Sequence, residues 1–235
     1  MKRFPNSRMK PVESCSSSKE FLVVYAFLLK ALEFREPFAK CDEKMNFKKA
    51  GKVDAFEALT FHQKEQVLIH DYKNEGNFMI ELLIENKNHM SKEQMYVIKS
   101  EKHISKISEA IALFEEIKGK GHGKIDRMTD QDTFKMPVLN IQATNVIDKL
   151  ENVRVIKGKG DSDMKLLKVQ ENINLMLNEK GVLIENQGLI EGELESAMVF
   201  DDPPKRLILD SQFWVIFKEK DTHPYLIVRV SNPCK

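Results

Sequence analysis

The sequence predicts an α+β fold built mostly from antiparallel sheet. Strand-like runs outnumber helical ones over the 235 residues, and no regular strand–helix alternation of the kind that builds parallel sheets is present. In the long run 164–181, Val169, Ile173, Leu175 and Leu177 alternate with polar or exposed positions, interrupted by Glu171. That is the period of a half-buried antiparallel strand. The chain is long enough to bury a sizeable core, as one large or two modest domains.

Residues 1–20 are polar, lack hydrophobic periodicity and read as a disordered leader. Residues 21–30 form the first predicted strand, containing the most apolar run, 21–29. That run is too short to span a bilayer, and no small-residue cleavage site follows it, so no signal peptide or anchor is read there. A charged stretch, 33–52, holds Pro37, Phe38 and Phe47 as isolated apolar points. Strands are predicted at 67–72 and 77–84, with Gly76 in the hairpin turn between them. Ser91 with Gln94 reads as a capping box. Ile104, Ile107, Ile111 and Phe114 then share one helical face, and the helix stops at the glycines of 118–123. Residues 133–142 form a strand whose Pro137 suggests an edge or a bulge. A short amphipathic piece follows at 145–152. The chain closes on two hydrophobic strands, 207–217 and 225–233.

The 37 basic and 36 acidic residues leave a formal charge of +1, so charge gives no reason to expect nucleic acid or a membrane surface as partner. Cys15, Cys41 and Cys234 have no CxxC spacing and cannot all pair. The six histidines show neither HxH nor HExxH spacing, so no metal site is predicted. The glycines of 119–124 lack the spacing and the Ser/Thr of a phosphate loop. Ser196 sits in no nucleophile elbow. No catalytic residue and no cofactor are predicted, and the chain is not read as an enzyme.

Six segments in sequential order resemble the serpin superfamily, most closely its alpha-1-antitrypsin-like group. Residues 21–30, with 34–38 and Phe47, resemble the NAxYFKG…WxxPF…F segment of that family's large sheet. Residues 67–73 with Gly76 and Asn77 resemble VLxLxYxGN, and 136–142 stand at LPKFxIx. Asn178, Glu179, Lys180 and Gly181 resemble the hinge that opens the reactive loop; residues 210–213 and 230–233 match the DRPF and VxNP boxes. The segments that precede the third large-sheet strand in the family have no match. A tryptophan expected near Glu33 or Phe34 is missing, and Glu171 stands where many members have histidine. The resemblance therefore implies an N-terminally truncated, divergent, C-terminal portion of the fold: a polar leader over 1–20 and a partial serpin domain over 21–235. An exposed reactive-loop segment would lie at 181–206. It also implies an extracellular protein.

In that family a protease cleaves the loop and is trapped as the loop enters the sheet as a new strand. The resemblance gives Glu179, Lys180, Gly181 and Val182 as the hinge. Counting from either flank places the bait bond at Glu195–Ser196 or Phe200–Asp201, with Met198 beside the second. Residues 181–202 carry six acids and no Lys or Arg, so the partner implied is a chymotrypsin-like or acid-preferring serine protease, not a trypsin-like one. Inhibition is expected to be impaired. The alternatives are a non-inhibitory serpin-like carrier and a fragment without function of its own.

Overall fold

A computed structural model of the chain describes residues 28–86, 93–120, 125–146, 154–155, 164–165, 170–186 and 203–234. The strand β1 (Leu28–Phe34) leads into four short ones, β2 (Ala39–Lys40), β3 (Met45–Phe47), β4 (Gly51–Val53) and β5 (Ala55–Glu57). The helix α1 (Phe61–Glu65) precedes β6 (Val67–Asn74), β7 (Asn77–Leu82), β8 (Ile84–Asn86) and β9 (Glu93–Lys99). After α2 (Ile107–Lys120) come β10 (Asp126–Arg127), β11 (Thr133–Pro137), β12 (Leu139–Val146), β13 (Arg154–Val155) and β14 (Met164–Lys165). The series ends with β15 (Gln170–Asn178), β16 (Gly181–Asn186), β17 (Arg206–Ile208), β18 (Phe213–Glu219) and β19 (Pro224–Val230).

Three larger sheets carry the fold. A five-stranded sheet runs β12-β15-β16-β1-β8, a six-stranded one β10-β6-β7-β9-β18-β19, and a four-stranded one β17-β11-β5-β2. All pairings among the described residues are antiparallel except β11 with β17. The expected α+β class with mostly antiparallel sheet is what the structure has.

The six-stranded sheet is covered on both faces. Val67, Ile69, Phe78, Ile80, Met95, Val97, Phe213 and Val215 join the main core, while Met79, Tyr96, Ile98, Trp214 and Ile216 meet Phe114 and Ile117 of α2. This explains one correction. Gln94 does not cap a helix; it lies in β9, a strand buried from both sides. The near-continuous burial of Met95, Tyr96, Val97 and Ile98 outweighs a local capping signal. Helix α2 starts only at Ile107, where the Glu109 carboxylate accepts from the Ser105 and Lys106 amides. Among the described residues a capping box stands instead at Thr60 and Gln63, opening α1.

Two further expectations shift. The first strand lies at Leu28–Phe34; residues 21–27 are outside the described residues. The strand expected over 133–142 is two strands in two sheets, β11 ending at Pro137 and β12 beginning at Leu139. Pro137 is neither on an edge strand nor at a bulge. It closes an interior strand, and the following Val138 amide donates to Asp54 at 2.9 Å as the chain changes sheets. The isolated apolar points of the charged stretch, Phe38 and Phe47, are core residues.

Candidate functional site

The hinge predicted from sequence is a tight hairpin between β15 and β16. Asn178 pairs with Gly181, leaving Glu179 and Lys180 as the turn. The Asn178 side chain accepts from the Lys180 amide at 2.9 Å, a local bond that asparagine makes readily. The carbonyls of Glu179 and Lys180 accept from the Phe38 and Phe34 amides at 2.8 and 3.0 Å, and Lys40 lies 3.4 Å from the Glu179 carboxylate. The turn is thereby tied to the segment that leaves β1. Beneath it, Phe34 and Phe38 meet edge-on with centroids 4.7 Å apart, and Phe38 also contacts Phe56 and Phe134. These rings fill the region where the family resemblance leads one to look for tryptophan.

Gly181 is the most constrained position of the turn. Its φ is +150°, and a Cβ there would stand 2.2 Å from the Leu32 carbonyl oxygen and 2.7 Å from the Glu33 Cα. Both obstacles are backbone, so a side chain has nowhere to go.

Of the loop expected over 181–206, the structure describes the first six residues and the stretch from 203 on; 187–202 lie outside the described residues. Gly181–Asn186 is not a tether but the middle strand of the five-stranded sheet. It pairs antiparallel with β15 on one side (Leu177↔Val182, Leu175↔Ile184) and with β1 on the other (Leu32↔Val182, Lys30↔Ile184). Val182 and Ile184 are buried, each stabilising the strand by about 1.5–3 kcal/mol. At the far end of the expected loop, Lys205 is buried, its amide donating to Asp132 at 2.5 Å, and Arg206 opens β17. The bait residues Glu195, Ser196, Met198, Phe200 and Asp201 lie outside the described residues.

A buried ionic cluster, not foreseen from sequence, anchors β1 opposite Ile184. Lys30 donates to Glu93 at 2.5 Å and to Glu219 at 2.8 Å, and its ammonium stands 4.0 Å over the Tyr225 ring. The Tyr225 hydroxyl donates to the other Glu93 oxygen at 2.9 Å. Burial, reinforced by Glu93, pushes the Tyr225 phenol far up, so it stays a donor. Because Glu93, Glu219 and Tyr225 come from β9, β18 and β19, the cluster clips β1, which flanks β16, to the six-stranded sheet. Its only trace in the sequence is a lysine directly after the most apolar run.

Among the described residues no group of three or more His, Cys, Asp or Glu could hold a metal ion, and no helix is long and apolar enough to cross a membrane. Burial, then Glu57, pushes the Cys41 thiol up to about 11, which leaves it protonated near neutrality.

No protein-family profile and no curated protein sequence matches the chain. Solved structures do. Serpin48 of the insect Tenebrio molitor shares 17% identity at a TM-score of 0.50, over 86% of this chain and 53% of its own. Thyroxine-binding globulin in complex with thyroxine shares 14% identity at a TM-score of 0.55, over 87% of this chain and 55% of its own. The chain spans about half the length of each. At these identities the likeness establishes fold alone, and the fold is serpin-like.

Proposed function

We propose that this chain is a serpin-like protein, of the alpha-1-antitrypsin-like group, that does not trap proteases because its loop is already spent. The observation that carries this reading is β16, seated between β15 and β1 in the uncleaved chain. A trap of the serpin kind draws its work from turning an exposed loop into a paired strand after cleavage. With Val182 and Ile184 already buried and paired on both sides, the share of that free energy which Gly181–Asn186 would supply has been released before a protease arrives. Such a protein belongs outside the cell, and its acidic segment 187–202 still offers Met198 and Phe200 to chymotrypsin-like enzymes and Glu195 to acid-preferring ones. Incubation with chymotrypsin and with an elastase, followed by denaturing electrophoresis, tests the reading. Cleavage without a covalent complex is expected; a complex that survives detergent overturns it.

A carrier role is the second reading. It is favoured by the buried indole N–H of Trp214 on the sheet face beneath α2, which has no hydrogen-bond partner among the described residues, together with the likeness to thyroxine-binding globulin. Trp214 is the one tryptophan of the chain, so saturable quenching of its fluorescence by thyroxine or a steroid reports binding directly. A linear, unsaturating response removes this reading.

A further inference from the structure

We propose that Lys118, in the last turn of α2, is a nucleophilic amine that condenses with small aldehydes to form a Schiff base. Its surroundings set it apart from other lysines of the fold. Lys30 and Lys99 are buried against carboxylates, and Lys64 is buried against the carbonyls of Thr129 and Asp130. Lys120 and Lys135 reach solvent but pair with Glu116 and Glu57. A carboxylate at hydrogen-bond distance holds the proton on an amine, and full burial denies a reagent access. Lys118 escapes both. It is half-buried, and its Nζ donates to the Tyr96 hydroxyl at 3.1 Å.

That acceptor is a neutral one. Burial, reinforced by Glu81, pushes the Tyr96 phenol far up, and its own proton is donated to the Glu81 carboxylate. Glu81 is held in turn by His70 at 2.8 Å and by Gln94 at 3.1 Å. The carboxylate that could have paired with Lys118 is therefore committed to a tyrosine, a histidine and a glutamine. A second cation stands close by. The Lys118 ammonium lies 4.9 Å from the Tyr96 ring centroid and the Lys218 ammonium 5.9 Å from that of Phe114, and the two rings meet edge-on at 5.0 Å. Burial holds the Lys118 amine below the usual lysine value; Glu81 pulls it up, Lys218 pushes it down, and Glu115 adds a smaller upward pull. Desolvation beside another cation is how a lysine amine is activated as a nucleophile. Two residues along the same helix, Lys120 shows the opposite: its hydrogen bond to Glu116 raises it.

The condensation balances without a further reactant. The ammonium releases one proton, the nitrogen lone pair adds to the carbonyl carbon, and the carbonyl oxygen leaves as water with two protons that came from nitrogen. R–NH3+ and O=CHR′ thus become R–NH+=CHR′ and H2O. Half-burial favours a small aldehyde, and Lys218 disfavours a cationic one. The approach past Gly119 is open, since a Cβ there would meet no atom within 4 Å. This site does not depend on whether the chain inhibits, carries or does neither.

Reductive alkylation of the full chain with propanal and cyanoborohydride near neutral pH, followed by peptide mapping, tests the proposal. Lys118 should be alkylated several-fold faster than Lys120 in the same peptide, and in denaturant the two should react alike. As pH rises, the rate at Lys118 should level off before that at Lys120, because only the neutral amine adds to a carbonyl. Lys118→Arg keeps the charge and should abolish the fastest-reacting equivalent, with an unchanged circular dichroism spectrum. Equal rates at Lys118 and Lys120 in the folded chain overturn the proposal. A preference that survives denaturant overturns it too, as does a fast equivalent that persists in Lys118→Arg.

Discussion

Two hairpins in this molecule are built to the same local plan and differ in what surrounds them. In one, β6 turns into β7 through Glu75 and Gly76; in the other, β15 turns into β16 through Glu179 and Lys180. Each opens on an asparagine whose side chain accepts from the amide two residues on, Asn74 from Gly76 and Asn178 from Lys180, both at 2.9 Å. Each has a buried polar contact nearby: the ionic cluster of Lys30 with Glu93 and Glu219 for the second, the hydrogen bond between His70 and Glu81 at 2.8 Å for the first. The glycines separate them. A Cβ on Gly76 would meet the end of the Glu101 side chain at 2.3 Å, and Gly76 has no positive φ. A Cβ on Gly181 meets backbone, at positive φ. One turn yields by moving a side chain into water; the other yields only by moving a strand.

The largest effect expected from this difference is at Gly181. Gly181→Ala places a methyl group against the Leu32 carbonyl in a conformation that alanine avoids, so β16 must leave its slot or β1 must shift. A loss of about 5 kcal/mol is expected, in the range that single substitutions reach only through such mechanisms. Denaturant unfolding measures it, and amide exchange at Val182 and Ile184 should accelerate with it. A loss below about 1 kcal/mol would mean that the slot is plastic, and the contrast between the two turns would collapse.

A smaller loss is expected at Lys30, which sharpens the comparison by asking whether the slot is held from the second sheet. Lys30→Met removes the cation beside the Glu93 carboxylate, whose side chain is 0% exposed, and leaves it near Glu219. Removing one partner of a buried pair costs about 3 kcal/mol, and adding Glu93→Gln should recover part of it. Exchange should quicken along β1 and β16 and stay unchanged at the 74–77 turn. Equal loosening of both hairpins would show that the cluster stabilises the whole core rather than the slot.

The first turn was legible in the sequence as a hairpin; the second was legible only as the hinge that the family resemblance implies, not as a turn between paired strands. Asn and Gly mark a hairpin locally, and the alternation of Leu175 and Leu177 marks the strand before the second one. The two C-terminal strands, β18 and β19, were legible from their unbroken hydrophobic runs. What alternation cannot carry is the identity of the neighbour. Val182 and Ile184 read equally well as a burial-tolerant face of an exposed loop, and only the docking of β1 decides that they are paired. The same limit hid the change of sheet at Pro137–Leu139 and the strand at Gln94, where two-sided burial overrode a cap signal. Lys30 was illegible because its partners lie 63 and 189 residues away. Short strands such as β2 and β5 are below the length at which any period shows.

The smallest effect is expected at Gly76, and its smallness is informative. The family resemblance and the hairpin rule both single out this glycine, yet its conformation requires no glycine. Gly76→Ala displaces the Glu101 carboxylate and costs the exposed bond from the Asn77 side chain to Glu101. Against that, alanine restricts the unfolded chain and returns about 0.4–1 kcal/mol. The two terms nearly cancel, so stability should move by no more than about 0.5 kcal/mol. Thermal unfolding of Gly76→Ala beside Gly181→Ala reads the comparison in one experiment. Two losses of similar size would show that the family's glycine at this hairpin has a conformational reason after all, and that the first turn is as rigid as the second.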